Sequence, residues 1–393
     1  MKWFSCTPVS FKGNFPFRDT GAYCTGFKSL GIESRLVMPL PSYAEDSPDV
    51  LRTEYSNLEN SEWWRSLHLD GVVLYSWSLP RYTPIAKAIH ESGTKLAIYL
   101  DTNEVVYPFQ AWRGGTLLAA RTAKAKHPQF WMAHFFKTIL HAHLNVINYP
   151  KRRRHLGYAD IIGIPSPGGV ENHKKIPLLL SKTSKNKLFL MPCPITDCNR
   201  HDGTSKEKRV MAVGRWDDLS QKRPFYLMTA VEIALAKDLE LKFDLFGLAP
   251  DFIRKWRDSL PDDVRQRIAL HGIKPNVEIG VYLRKSMACL CSSSHESTHL
   301  VSAEAVCNGA SIVVPPLSTL KVVQWYASED SGTIAEKDTP ESFAAAICQE
   351  VENWAQKRRD PQKISDTWCS RLHVQETIRK LFARLAVFPP SEA

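Results

Sequence analysis

The chain has 393 residues, too many for one ordinary hydrophobic core, and its 44% hydrophobic and 23% charged residues are typical of a globular protein with two domains. No apolar run approaches the ~20 residues of a membrane span, and the opening MKWFSCTPVSF lacks the apolar stretch of a signal peptide. The net charge of +10 is uneven, because residues 105–159 hold nine Lys or Arg and no Asp or Glu. Nine cysteines without a CxxC pair predict reduced thiols in a cytoplasmic protein.

In the first half, short apolar runs alternate with helical patterns. The predicted strands cover residues 2–5, 35–38, 71–75, 95–100, 160–164 and 187–191. They are rich in Val, Ile and Leu without clean alternation, as in strands that are buried on both faces. Because helical stretches separate them, the longest at 116–145, we predict a parallel, doubly wound sheet.

A polar, glycine-containing linker separates this half from a second one. The alternation restarts with predicted strands at 209–213, 241–246, 268–270, 287–291, 311–314 and 333–335, and a helical tail follows from 340 to 387. We predict an α/β protein with a Rossmann-like domain at 1–196, a linker at 197–208, a second such domain at 209–370, and a C-terminal helix and tail at 371–393. In such sheets ligands bind at the carboxyl ends of the strands, here in a central cleft that both domains face.

The stretch SSSHESTHLVSAEAVCNGASIVVPP, residues 292–316, contains two glutamates eight positions apart. Glu296 lies in the loop that leaves a predicted strand, and Glu304 lies in a helix that begins near Thr298 and His299. The N–H groups at the start of that helix carry partial positive charge and suit a diphosphate. The two carboxylates could accept hydrogen bonds from the hydroxyls of a sugar and a ribose. The alternative is that Glu296 is a solvated loop charge and Glu304 an ordinary exposed helix residue.

A second motif, VGRWDDLSQKRP at residues 213–224, follows the first strand of the second half. Gly214 permits close approach of the backbone, while Arg215 and Lys222 are cations that could neutralise a diphosphate without a metal ion. A surface loop with two solvated cations is the alternative. The sequence has no D-x-D, no HExxH and no zinc-type cysteine spacing, so we predict no metal site and no cofactor.

Together these motifs resemble those of retaining glycosyltransferases of family 4, which have the GT-B fold. The resemblance covers about residues 210–316 and consists of Gly214-Arg215, Lys222, Gly247 in LFGLAP, Gly272 in LHGI, and Glu296 separated by seven residues from Glu304. The first half is similar only in layout, and its Gly21 occupies the place of the family's glycine-rich first loop.

The resemblance implies a role for each matching residue. The pyrophosphate would be held by Arg215, Lys222 and the N–H groups of Leu300 and Val301, and Gly21 would lie near the donor phosphates. Glu304 would bind the ribose, and Ile273 would lie against the nucleobase. Glu296 would contact the transferred sugar. The sequence departs from the family at three places: Ser297-Thr298-His299 replaces the usual Gly-Phe-Gly, only Gly21 remains of the double glycine in the first loop, and the usual histidine after the fourth strand is missing. His299 stands where glycine is usual and narrows the sugar pocket, and Asp101, with Thr102 beside it, stands where a histidine is usual.

We therefore predict a metal-independent, retaining glycosyltransferase of the GT-B fold, with C-terminal helices that cross back to the first domain. It would move a sugar from a nucleotide-diphosphate sugar to an acceptor hydroxyl, and Glu296 and Asp101 are its candidate catalytic residues. One alternative is a catalytically degenerate glycan- or nucleotide-binding protein, which the departure at His299 favours. Another is a nucleic-acid-modifying glycosyltransferase, which only the basic segment favours.

The basic segment predicts an anionic partner for the acceptor-binding first domain. Its candidate contact residues are Arg113, Lys151, Arg152, Arg153 and Arg154, and aromatic residues are interleaved with the cations. Three partners fit: an anionic membrane surface with a lipid-linked acceptor, an anionic soluble glycan, or nucleic acid. We favour the membrane, which predicts a cytoplasmic protein bound peripherally to the inner face of the membrane.

Overall fold

The computed structural model describes residues 1–12, 19–76, 79–100, 149–175, 186–196, 198–328 and 330–386. These residues form two compact units, each with one parallel sheet. The first unit contains the described residues up to 196 and those from 370 onward, and the second contains the described residues from 198 to 369.

The first sheet has seven parallel strands in the order β3-β2-β1-β4-β5-β6-β7. They are β1 Trp3–Cys6, β2 Leu36–Pro39, β3 Val50–Thr53, β4 Gly71–Tyr75, β5 Lys95–Tyr99, β6 Ile161–Ile164 and β7 Leu188–Leu190. The helices of this part are α1 Asp19–Ser29, α2 Tyr55–Leu58, α3 Ser61–Ser66, α4 Thr83–Glu91, α5 Tyr149–Gly157 and α6 Pro167–Lys175, with a short 3-10 turn at Pro80–Tyr82. The six predicted strands are present. The prediction missed β3, an edge strand whose Val, Leu and Arg are only partly buried.

The second sheet has six parallel strands in the order β10-β9-β8-β11-β12-β13. They are β8 Glu207–Val213, β9 Lys242–Phe246, β10 Ile268–Gly272, β11 Ser286–Leu290, β12 Ser311–Val314 and β13 Gly332–Ile334. The helices are α7 Pro224–Lys237, α8 Asp251–Asp258, α9 Asp262–Arg265, α10 Asn276–Lys285, α11 Leu300–Cys307, α12 Lys321–Tyr326, α13 Pro340–Ala355 and α14 Pro361–Leu372, with a 3-10 turn at Ser318–Leu320. All six predicted strands are present.

The last helix, α15 Val374–Leu385, belongs to the first unit. Its Phe382 ring lies 5.0 Å from the ring of Trp3 and 6.0 Å from that of Phe27, in the core of the first sheet. A Cβ on Gly26 of α1 would lie only 2.7 Å from Val374, so the two helices pack closely because that position has no side chain. The predicted crossing of the C-terminal helix back to the first domain is confirmed.

Two Rossmann-like parallel sheets with flanking helices confirm the predicted α/β fold class. The strand order reverses at β1 in the first sheet and at β8 in the second, which makes the carboxyl ends beside these strands the expected ligand sites. The predicted helix at 116–145, Asp101, Thr102 and Arg113 lie outside the described residues. Within the described ranges, no helix is long and apolar enough to cross a membrane.

Candidate functional site

Three glycines line up at the carboxyl ends of the neighbouring strands β8, β9 and β10. The Gly247 N–H donates a 2.8 Å hydrogen bond to the carbonyl of Gly272, and the Gly214 N–H donates a 3.2 Å bond to that of Phe246. Gly247 has a φ of +104°, and a Cβ there would lie 1.9 Å from the Gly214 oxygen. Only glycine fits both the conformation and the space, so the three loops meet with their backbones in direct contact.

Glu296 is the centre of a buried polar cluster in the loop after β11. Its Oε1 accepts hydrogen bonds from Lys222 Nζ and Ser293 Oγ, each at 2.5 Å, and its Oε2 accepts one from Gln221 Nε2 at 3.2 Å. The Lys222 and Glu296 side chains are only 13% and 7% exposed. Burial alone would raise the pKa of Glu296, but the charge of Lys222 and the hydrogen bonds from Lys222 and Ser293 hold it below its usual value. Glu296 is therefore an ionised carboxylate, and a solvated loop charge is excluded.

His299 caps the start of α11 in a left-handed conformation, with a φ of 46°. Its Nδ1 lies 2.6 Å from Ser302 Oγ, and its Nε2 lies 3.9 Å from Glu296 Oε1. Burial lowers the pKa of this imidazole to about 4, so the ring is neutral at neutral pH. The backbone of His299 adopts the left-handed conformation that glycine adopts easily. For a residue with a Cβ this conformation costs about 1 kcal/mol of conformational free energy. The departure at this position therefore adds an imidazole beside Glu296 and leaves the turn intact.

Glu304 occupies a different environment, in the second turn of α11. It is 5% exposed and accepts a 2.8 Å hydrogen bond from Asn276 Nδ2. Burial raises its pKa to about 8, against a smaller opposing effect of the Asn276 hydrogen bond. This carboxyl is thus mostly protonated at neutral pH, whereas Glu296 is ionised. The alternative of an ordinary exposed helix residue is excluded.

Arg215 remains open to solvent, in contrast to Lys222. Its side chain is 74% exposed, with Asp218 at 3.8 Å and a long 3.4 Å contact to Gln221 Oε1. Ile273, the residue after β10, is 77% exposed. Leu300 and Val301 form the first turn of α11, directly after His299. The second unit therefore brings the predicted Lys222, Glu296 and His299 into one cluster, with Arg215 linked to it through Gln221.

Sequence reasoning missed several residues that build this cluster. Gln221 and Ser293 donate hydrogen bonds to Glu296, and Asn276 donates one to Glu304. Arg223 is fully buried with a left-handed φ of 49°, and it donates to the Ser292 carbonyl at 2.6 Å and to Asp338 at 2.9 Å. It thereby fixes the loop that carries Lys222 against the loop that carries Glu296. For Gln221, Arg223 and Ser293, the only signal in the sequence is that they lie beside Lys222 or Glu296 in the runs QKR and SSSHE. Nothing in the sequence pointed to Asn276.

In the first unit, the predicted residues that can be described are Gly21 and the cations of α5. Gly21 lies near the start of α1. Lys151, Arg153 and Arg154 are exposed, but Arg152 is 6% exposed. The expectation that all four cations reach a partner is therefore wrong for Arg152, because the helix turns this side chain into the protein. Among the described residues, no group of three or more His, Cys, Asp or Glu could hold a metal ion.

Comparisons with known proteins agree with this fold and point to the second unit. The family model described as "Glycosyl transferases group 1" matches residues 207–353, from β8 into α13. No curated protein sequence matches the chain.

Among solved structures, sucrose-phosphate synthase from Thermosynechococcus elongatus is similar with a TM-score of 0.63 at 13% identity, over 98% of this chain and 100% of that one. The lipopolysaccharide outer core galactosyltransferase WaaB has a TM-score of 0.62 at 14% identity, over 99% and 100% of the two chains. The pneumococcal O-GlcNAc transferase GtfA, solved with UDP and GlcNAc, has a TM-score of 0.63 at 10% identity, over 98% and 99%. These similarities establish a fold shared with glycosyltransferases over almost the whole chain, and the family match falls on the unit that carries the cluster around Glu296.

Proposed function

We propose that this protein is a retaining glycosyltransferase that uses a nucleotide-diphosphate sugar. One observation carries the proposal: the buried Lys222–Glu296 pair lies beside the start of α11, at the carboxyl end of β11. A cation, an ionised carboxylate and a helix N-terminus are the groups that a sugar diphosphate requires. The family match to residues 207–353 supports the same reading.

The donor diphosphate would bind at the N–H groups of Leu300 and Val301, where the helix dipole favours negative charge. Arg215 is exposed and can reorient toward it. Lys222 would then be shared between the diphosphate and Glu296. As Lys222 moves toward the phosphate, Glu296 Oε1 loses one of its two donors and can accept a hydrogen bond from a hydroxyl of the transferred sugar.

In the transfer step, the bond between the anomeric carbon and the phosphate oxygen breaks as the acceptor oxygen bonds to the same carbon. The departing phosphate takes the acceptor's proton on the same face of the sugar, so that configuration is retained. Arg215, Lys222 and the start of α11 would stabilise the charge on the leaving group, a contribution that does not require a metal ion.

The test is a transfer assay on the full chain with UDP-, GDP-, ADP- and dTDP-sugars. We expect one donor to be consumed, also in excess EDTA, and a product whose anomeric configuration by NMR equals that of the donor. Arg215→Ala should abolish most turnover, whereas Arg254→Ala, an exposed arginine on α8, should leave it unchanged. An inverted product or a requirement for metal would contradict the proposal.

A binding protein without turnover is the second candidate, and the buried imidazole of His299 beside Glu296 favours it. A neutral ring in this position occupies space that a transferred sugar would need. Calorimetric binding of a nucleoside diphosphate without consumption of any sugar donor would support this candidate. Turnover in His299→Gly but not in the parent would show that the imidazole blocks transfer.

For the acceptor, we propose an anionic or lipid-linked molecule at an anionic membrane surface. The support is the charge of residues 105–159 and the exposed Lys151, Arg153 and Arg154 on α5. The first domain binds the acceptor in the GT-B glycosyltransferases that the sequence resembles, so the basic residues lie in the expected domain. Co-sedimentation with vesicles, with and without anionic lipid, separates this proposal from a soluble glycan or a nucleic acid.

A further inference from the structure

The first unit contains a surface pocket between the turn after β4 and the start of α5. It has a volume of about 450 Å³ and is lined by Leu79, Pro80, Arg81 and Lys151. This volume lies within the range of about 300–1,000 Å³ that is usual for small-molecule sites. The pocket thus combines two apolar side chains with two cations that come from separate elements of the chain.

The two cations have no anionic partner among the residues that the structure describes. Neither Arg81 nor Lys151 forms an ion pair there, in contrast to exposed cations such as Arg65 and Lys87. The Arg81 guanidinium lies 4.6 Å above the ring of Tyr82, which is 4% exposed and part of the core. Stacking on a fixed aromatic ring restricts the guanidinium and leaves its N–H groups available to an acceptor of hydrogen bonds.

A buried hydrogen bond holds the two sides of this pocket together. Ser76, directly after β4, and His155 on α5 are both 0% exposed, and Ser76 Oγ lies 2.8 Å from His155 Nε2. Lys151 and His155 are four residues apart and share one face of α5. The bond therefore fixes the helix face that carries Lys151 relative to the turn that carries Arg81. Burial lowers the pKa of His155 to about 4, so this bond persists as a neutral contact at neutral pH.

We propose that this pocket binds an anionic group, a phosphate or a carboxylate, of the acceptor. That the bound molecule is the acceptor rests on the proposed function, whereas the anion site itself rests on the pocket, the two cations and the Ser76–His155 bond. Leu79 and Pro80 supply an apolar wall for the carbon skeleton that carries the charge. Ser76 and His155 are positioning residues, because neither is accessible to a ligand.

The experiment uses the full chain with its nucleotide site filled by excess UDP, and three probes: glucose 6-phosphate, glucuronate and glucose. Binding is measured by ligand-observed NMR and titration calorimetry. We expect the parent to bind at least one of the two anions about tenfold or more tightly than glucose, since a charge-assisted hydrogen bond is lost in the neutral probe. Preference for the phosphate or the carboxylate then identifies which anion the pocket takes.

Arg81→Gln and Lys151→Gln should each remove most of this preference, whereas Lys87→Gln, at an exposed cation of α4 that does not line the pocket, should keep it. Because Lys151 is exposed, the Lys151→Gln variant should fold normally. Circular dichroism and the Tm of the variant check that it does. His155→Phe should weaken anion binding as well. If the Ser76–His155 hydrogen bond acts by positioning Lys151, the double variant with His155→Phe and Lys151→Gln should bind the anion only slightly more weakly than His155→Phe alone.

Equal binding of glucose and both anions by the parent would overturn the proposal, and so would equal losses in Lys151→Gln and Lys87→Gln. Anion binding that disappears when UDP is added would also overturn it, because the anion would then occupy the nucleotide site. Failure of the proposed function gives a different pattern: no nucleoside diphosphate binds, but glucose 6-phosphate or glucuronate still binds in a manner that depends on Lys151.

Discussion

The two units use charge in opposite ways at the carboxyl ends of their strands. In the second unit, Lys222 and Glu296 are buried and neutralise each other, and Arg223 is likewise paired with Asp338. In the first unit, the cation Lys151 is exposed at the rim of a pocket. Buried, paired charges hold one geometry, whereas exposed charges can adapt to their partner. The comparison indicates a second unit organised for one kind of ligand and a first unit that accommodates a more variable one.

The largest expected effect tests whether the second unit depends on its close backbone contacts. Gly247→Ala forces a Cβ to within 1.9 Å of the Gly214 oxygen at a φ of +104°. We expect a loss of about 3 kcal/mol or more in the free energy of unfolding of this unit. Gly272→Ala is the matched control, because its φ is +68° but no atom lies within 4 Å, and it should cost about 1 kcal/mol. Urea unfolding monitored by circular dichroism measures both; equal losses would show that the contact does not matter.

The next effect separates the buried cation from the exposed one. Lys222→Ala leaves Glu296 buried without its ion pair and should cost about 3 kcal/mol of stability as well as about 10²-fold in turnover. Arg215→Ala should cost a similar factor in turnover but less than about 0.5 kcal/mol in stability, since its side chain is 74% exposed.

Turnover is measured in a steady-state transfer assay, and the free energy of unfolding is measured by urea titration of the same preparations. Adding Glu296→Gln to Lys222→Ala removes the uncompensated charge and should recover part of the stability but no turnover. Equal stability losses in Lys222→Ala and Arg215→Ala would contradict the expectation that the paired Lys222 contributes more to stability than the exposed Arg215.

Per pH unit, a smaller effect is the pH dependence that arises from the second unit. The pKa of Glu304 is raised to about 8 in the folded protein, so between its usual carboxyl pKa and pH 8 the folded state holds a proton that the unfolded state has lost. Stability therefore falls as pH rises through this window, by at most about 1.4 kcal/mol per pH unit, and then levels off. Glu304→Gln cannot ionise and should lack this slope. Urea titrations of both proteins across the window measure the difference, and parallel curves would contradict the assignment.

The smallest effect concerns the exposed cations of the first unit. Replacing Lys151, Arg153 and Arg154 by Ser should weaken binding to anionic vesicles by about 1 kcal/mol per cation, while Arg152 is retained because it is buried. The control replaces three exposed cations of the second unit, Lys237, Arg254 and Lys255. Vesicle co-sedimentation compares the two triple variants. Equal losses would mean that binding follows net charge, and no binding by the parent would exclude the membrane as partner.

Much of the architecture was predictable from the sequence, because strands buried on both faces give continuous apolar runs. The glutamate spacing and the glycines at the carboxyl ends of β8, β9 and β10 also located the candidate site, since they are local signals. The ion pair between Lys222 and Glu296 was not predictable, because it joins loops 74 residues apart. The same holds for Ser76 and His155, which are 79 residues apart. Edge strand β3 was missed because its partly buried residues give no apolar run.

The position of α15 has a consequence for how the protein is made. Val374, Ile378, Leu381 and Phe382 belong to the same core as Trp3 and Phe27, so that core joins two segments that the second unit separates in the sequence. During synthesis β1 emerges well before α15 and lacks these partners until α15 has left the ribosome. The described part of the second unit, residues 198–369, is fully synthesised before then. Domains usually fold in order of synthesis; here the second unit can already be native while the first unit still awaits α15.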